Sequence, residues 1–176
     1  MITLLQICLL MMLGYVFLQD ARSRLIYLWC FPVLAMMFVV LRVFNGEKWA
    51  SIAGDSIKGL LFLLLQIVAL SLYFSIRNRK WTNILKGYLG WGDVLFLICS
   101  ACYLSILNFI GFYVGSLLLS IIVWIIWQQR KDASNNVRIP LAGLQALIMM
   151  PLLLADWWLP GVSLTQDDWL ISLIAG

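Results

Sequence analysis

Long apolar stretches set between short polar connections govern what this chain can become. About 20 apolar residues in succession make a helix that crosses a bilayer. Six stretches approach that length, roughly 2–18, 25–43, 57–76, 94–107, 109–127 and 139–159. Their interiors are runs of Leu, Ile, Val and Phe without capping residues, as membrane spans are. Of 176 residues, 64% are hydrophobic and 11% charged, against roughly half and a quarter in a soluble domain. The expectation is an all-α polytopic membrane bundle of about six transmembrane helices, forming one domain over residues 1–176. Only Asn108 and Gly111 mark a turn between the fourth and fifth stretches. Residues 160–176 are too short to span, and no connection is long enough for a soluble domain. The first stretch reads as a retained helix. Met1-Ile2-Thr3 carries no basic side chain, and the stretch runs into Gln19-Asp20 rather than a small-residue cleavage site.

Basic residues mark the cytoplasmic side of a membrane protein. Nine of the twelve Lys and Arg fall in the connections after spans one, three and five: Arg22, Arg24, Arg77, Arg79, Lys80, Lys86, Arg130, Lys131 and Arg138. Arg42, Lys48 and Lys58 fall on the opposite side. Both termini are therefore expected outside the cytoplasm, with 160–176 an extracytoplasmic tail. Basic loops beside anionic lipid account for the formal charge of +4, so the expected partner is the lipid bilayer and not nucleic acid.

The chain has no histidine, which removes the usual general base, the usual zinc ligand and any Ser-His or Cys-His nucleophile. Cys99 and Cys102 have metal-ligand spacing, yet no second pair completes a tetrahedral site. With Cys8 and Cys30 they read as packing residues, and neither metal nor other cofactor is expected. Aromatics gather near span ends, at Tyr27, Trp29, Trp49, Trp81, Tyr88, Trp91, Trp124, Trp127, Trp157 and Trp158, as an interfacial belt. Gly111 and Gly115 have the spacing that brings membrane helices together. In the tail, Thr165 reads as the N-cap of a short interfacial helix with Asp167 and Asp168 in its first turn.

Among eight acidic residues, Glu47, Asp132, Asp167 and Asp168 read as solvated charges, and Asp55 as the helical partner of Lys58. Asp156 lies near the outer end of the last span. Asp20 and Asp93 differ. Asp20 leaves span one running inward and Asp93 enters span four running outward, so both fall at the cytoplasmic boundary. A carboxyl beside a membrane span is costly and marks a candidate site. Gly90 and Gly92 flank Trp91 just before Asp93 and permit a close approach or backbone conformation that a Cβ would prevent. Each aspartate alone has a plainer explanation: Asp93 as a helix N-cap, Asp20 as a partner of Arg22 or Arg24. Together they form a pair that cannot easily ionise twice. One member can then draw a proton from water while the other hydrogen-bonds a peptide carbonyl.

Gly90-Trp91-Gly92-Asp93 resembles the Gly-x-Gly-Asp motif of the type IV prepilin peptidases, a family of membrane aspartic proteases. Their first motif places an Asp six residues before Ile-Pro-Asn. Here Asp20 stands six before Ile26, with Tyr27 and Leu28 in place of Pro and Asn. Ile139-Pro140-Leu141-Ala142-Gly143 is similar to the Ile-Pro and small residues that open the family's last helices. Leu95 stands where members often carry Lys, and the Cys-x-x-Cys insertion of larger, methylating members is missing. The resemblance implies a short-form peptidase without methyltransferase activity, in a bacterial cytoplasmic (inner) membrane. Asp20 and Asp93 are then catalytic, supported by Gly90, Gly92, Ile139, Pro140 and Gly143. The implied substrate is a prepilin-like protein of a type IV pilus system, cut where its cytoplasmic leader meets its apolar helix. A small proton-coupled transporter and a catalytically inactive scaffold of the same fold remain as alternatives.

Overall fold

The computed structural model describes residues 2–23, 25–78, 90–130 and 141–175. Seven helices follow one another: α1 (Ile2–Ser23), α2 (Cys30–Phe44), α3 (Trp49–Asn78), α4 (Trp91–Ala101), α5 (Ile106–Arg130), α6 (Leu141–Trp158) and α7 (Asp168–Ala175). Each of the six apolar stretches overlaps a helix, though 94–107 runs past the end of α4 into the start of α5, and the described residues contain no strand. Helices α1, α3, α5 and α6 are long and apolar enough to cross a membrane. Helices α2 and α4 are apolar but shorter, at 15 and 11 residues. At 1.5 Å per residue, α4 extends only about 16 Å, roughly half a hydrocarbon core.

The bundle is built on α1 and α6, with α2 against α1, α4 among α2, α3 and α6, and α5 against α3, α4 and α6. The buried stripe of α1 is Leu9, Leu13, Val16 and Asp20, the spacing of one helical face. Opposing it, α6 presents Gly143 to Asp20 and Phe17. The other buried residues of α6 include the small Ala142 and Ala146, then Met149 and Leu153, and small residues let two membrane helices approach closely. The outward surface is apolar: α3 exposes Leu60, Leu61, Leu64, Leu65, Val68 and Leu72, and α5 exposes Leu118, Leu119, Ile121 and Ile122. A continuous apolar exterior of this kind is a surface for lipid.

Three expectations require correction. The turn between the fourth and fifth stretches lies at 102–105, through Cys102, Tyr103 and Leu104 N–H groups bonded back to Cys99 and Ser100, and not at Asn108 and Gly111. Asn108 is buried in α5, where its Nδ2 donates to Ser105 Oγ at 2.8 Å and to the carbonyls of Ser163, Leu164 and Gln166 at 3.0–3.1 Å. The tail folds back over this turn and holds it. Second, Thr165 does not cap α7. Asp167 stands immediately before it, with its carboxylate accepting the Leu107 N–H at the start of α5, so this acid is a structural contact rather than a solvated charge. Third, a Cβ at Gly111 or Gly115 would meet nothing within 4 Å, whereas at Gly59 it would lie 2.9 Å from Ala101 Cβ. The tight approach of two helices is therefore between α3 and α4.

Candidate active site

The stripe that buries α1 delivers Asp20, only 7% exposed, against the first turn of α6. The first N–H groups of a helix have no acceptor within it. Gly143 N–H donates to Asp20 Oδ2 at 2.6 Å. The approach depends on the missing side chain: a Cβ at 143 would lie 3.0 Å from Asp20 Cβ, 3.1 Å from Oδ2 and 3.4 Å from the Phe17 carbonyl oxygen.

Asp93 reaches the same turn from α4. Gly90 is the extended N-cap of that helix, with φ −72° and ψ 135°, and the Asp93 carboxylate lies beside the backbone of Gly90 and of Ala142. Its place beside Gly90 is that of a third helical residue turned back toward its N-cap. The proximity of Asp93 to Ala142 brings α4 and α6 together at this point. Consecutive residues, Ala142 and Gly143, thus adjoin the two carboxylates, which lie within electrostatic reach of one another. The positive end of a helix dipole faces both.

Of the two motif glycines, Gly90 is the crowded one, since a Cβ there would stand 2.7 Å from Asp93 Oδ2. At Gly92 a Cβ would touch Ile26 Cδ1 at 3.4 Å and Ala142 at 4.0 Å, ordinary contact, so close approach does not require glycine there. Ile139 and Pro140 lie outside the described residues.

The departures around Asp20 fall away from the pair. Gln19 Oε1 accepts the Tyr27 N–H at 3.2 Å and Ser23 Oγ donates to the carbonyls of Gln19 and Leu25. This pins the connection into α2 while Tyr27 and Leu28 point outward, 63% and 72% exposed. Leu95 packs against the apolar core. Cys99 Sγ donates to the Phe31 carbonyl at 3.2 Å, a contact between α4 and α2. Among the described residues no three His, Cys, Asp or Glu gather as metal ligands.

A second polar cluster occupies the far end of the bundle, and sequence reading missed it. Arg42, counted above among the cations of the opposite side, is completely buried. Its Nε donates to Glu47 Oε2 at 2.8 Å and its Nη2 to Asp55 Oδ2 at 2.9 Å, while Lys58 stands 3.5 Å from Asp55. Gly46, at φ +85°, makes this possible. It turns the chain after α2 so that Glu47 N–H reaches the Arg42 carbonyl and Gly46 N–H the Val43 carbonyl, the paired bonds of a Schellman cap. Nearby, Tyr103 Oη donates to Asp156 Oδ2 at 2.5 Å, Leu164 N–H donates to Asp156 Oδ1 at 2.6 Å and Trp157 Nε1 donates to Tyr103 Oη at 3.2 Å. Trp157 therefore belongs to this network and not to the belt. Only the acid–aromatic adjacency Asp156-Trp157 could have signalled it.

Compared with protein-family models, curated proteins and solved structures, the chain matches none.

Proposed function

We propose that the chain is a membrane aspartic endopeptidase that removes the cytoplasmic leader of prepilin-like proteins, with Asp20 and Asp93 as the catalytic pair. The observation that carries this reading is the meeting of the two carboxylates on consecutive residues of α6, Gly143 for Asp20 and Ala142 for Asp93. Two carboxyls in one site share a single proton between them. The ionised member takes a proton from water, and the oxygen attacks the carbonyl carbon of the scissile peptide. The protonated member donates to the carbonyl oxygen as the tetrahedral diol forms. On collapse the C–N bond breaks and the leaving amine takes up a proton, restoring the pair. This chemistry uses neither metal nor cofactor.

The topology belongs to the same proposal. All six apolar helices α1–α6 lie within the bilayer, both termini are outside the cytoplasm, and the pair faces the cytoplasm of a bacterial inner membrane. The basic connections support that orientation. A substrate with a basic leader and an apolar helix would then present its junction at the depth of the pair.

The test is cleavage of a cognate prepilin in membranes. Asp20→Asn and Asp93→Asn are each expected to abolish it, and full cleavage by either variant overturns the reading. A second reading, a proton-coupled carrier, draws on the buried Arg42 and the half-buried Glu47, Asp55 and Asp156. Proton flux after a pH jump in proteoliposomes, lost in Asp156→Asn and unaffected by Asp93→Asn, would favour it instead.

A further inference from the structure

Gln145 is completely buried in α6, yet among the described residues neither its Nε2 nor its Oε1 has a hydrogen-bond partner. Asn108 has four acceptors, and Ser100, Ser116 and Ser120 donate to carbonyls of their own helices. Arg42 Nη1 and Trp169 Nε1 are single buried donors without a partner among the described residues, whereas Gln145 lacks one at both ends of its amide. A buried amide with both ends unpaired is destabilising, and the more so in hydrocarbon, where water does not reach. Leu or Met would fill the same space without that penalty. The amide has a use if its partner arrives from outside the chain.

Its position says what that partner is near. Gln145 follows Ala142 by three residues, so it sits about 4.5 Å deeper on the same side of α6. Ala142 lies against Gly92 and beside Asp93, which makes this the side facing α4. On α4, Phe96 follows Asp93 by the same three residues and is fully buried. The amide therefore stands level with Phe96, one turn inward of the aspartates.

We propose that Gln145 forms a peptide-backbone subsite, its carboxamide pairing with the main-chain N–H and C=O of one residue of the bound substrate just inside the membrane from the aspartates. A planar carboxamide offers one acceptor and two donors in fixed geometry. One residue of an extended chain supplies the complement, its own N–H for Oε1 and its own C=O for Nε2, which point to the same side. A cation or phosphate would use only half of it. Main-chain groups within an intact helix are already bonded to each other, so the segment read by Gln145 is extended. The substrate's apolar helix is accordingly unwound at its first turn when it occupies the site. This subsite rests on the peptidase reading for its substrate, though not for its ability to bind peptide.

The experiment uses the full chain in lipid nanodiscs and a fluorescent synthetic peptide, a basic leader followed by an apolar helix. Binding is measured in the Asp93→Asn protein, with and without Gln145→Met, and cleavage with Asp93 intact. Gln145→Met is expected to weaken binding at least tenfold and to raise KM by a similar factor with kcat within twofold. Its unfolding temperature should equal or exceed that of the parent. A peptide with a single amide-to-ester replacement should bind the parent more weakly at one position near the junction, with no further loss in Gln145→Met. Unchanged affinity and KM overturn the subsite, as does a lowered unfolding temperature or failure to fold, either of which means that the amide is satisfied within the chain. Gln145-dependent binding without cleavage when Asp93 is intact would overturn the peptidase reading alone. Cleavage with an unchanged KM in Gln145→Met would overturn the subsite alone. Neither binding nor cleavage in the parent overturns both.

Discussion

At one end of the bundle, Asp20 rests on a backbone N–H in the first turn of α6, and Asp93 lies beside the same turn. At the other, Glu47 and Asp55 rest on the buried guanidinium of Arg42, and Asp156 on the Tyr103 hydroxyl and the Leu164 N–H. Ten residues of chain separate Asp93 from Tyr103, about 15 Å at the rise of a helix. The two ends hold the same functional group for different purposes. A guanidinium beside a carboxylate fixes it as an anion and ties helices together, and a charge-assisted bond of this kind is strong and directional. Backbone N–H groups orient a carboxylate without supplying a full counter-charge, and a second carboxylate alongside leaves one proton to be shared. On the proposed reading, the Arg42 cluster serves cohesion and the α6 terminus serves proton transfer.

Breaking the outer cluster should therefore damage folding and spare the chemistry of a folded molecule. Arg42→Met removes the cation from Glu47 and Asp55 while keeping most of the buried volume. Loss of about 3–5 kcal/mol of stability is expected, as for one partner of a buried ion pair, read by unfolding in detergent or nanodiscs. At the other end, Gly143→Ala places a methyl 3.0 Å from Asp20 Cβ. Overpacking of this kind costs about 1–3 kcal/mol, and by displacing Asp20 it should lower the cleavage rate at least tenfold, a ratio of activity loss to stability loss that Arg42→Met should not show. Tyr103→Phe leaves Asp156 without its hydroxyl donor and Trp157 without its acceptor, and should cost about 1–3 kcal/mol with cleavage unchanged at temperatures where the protein is folded. The smallest effect is expected at Lys58, which is 60% exposed and 3.5 Å from Asp55. Lys58→Met should shift stability by no more than a few tenths of a kcal/mol, because water screens such a pair. A large loss there would mean that the outer cluster is held by Lys58 rather than Arg42.

The sequence made the apolar helices plain, because stretches near 20 residues have few other uses, and apolar spacing alone puts Asp20 on the buried stripe of α1 with Leu9, Leu13 and Val16. The aspartates could be paired because the basic residues set both on one side and the motif around Asp93 was recognisable. Other features had no local signature. The α4–α5 turn contains neither Gly nor Pro and is held by Asn108 against a segment more than 50 residues later. Arg42 sits near a span end, where a cation ordinarily reaches the headgroups, and only the turn at Gly46 brings Glu47 back to it. Ala142 contributes through its backbone, which side-chain identity does not disclose. Gln145 is one polar residue in an apolar helix, and its significance lies in what it does not touch.

The most direct test sets the two ends against each other in one assay. Asp93→Asn and Asp156→Asn are purified in the same lipid, and their unfolding and their cleavage of one prepilin substrate are measured side by side. Asp93→Asn is expected to unfold like the parent and to cleave nothing, whereas Asp156→Asn should unfold earlier and, where folded, cleave at the parental rate. Substantial cleavage by Asp93→Asn, or its complete loss in a folded Asp156→Asn, would contradict the assignment of chemistry to the α6 terminus.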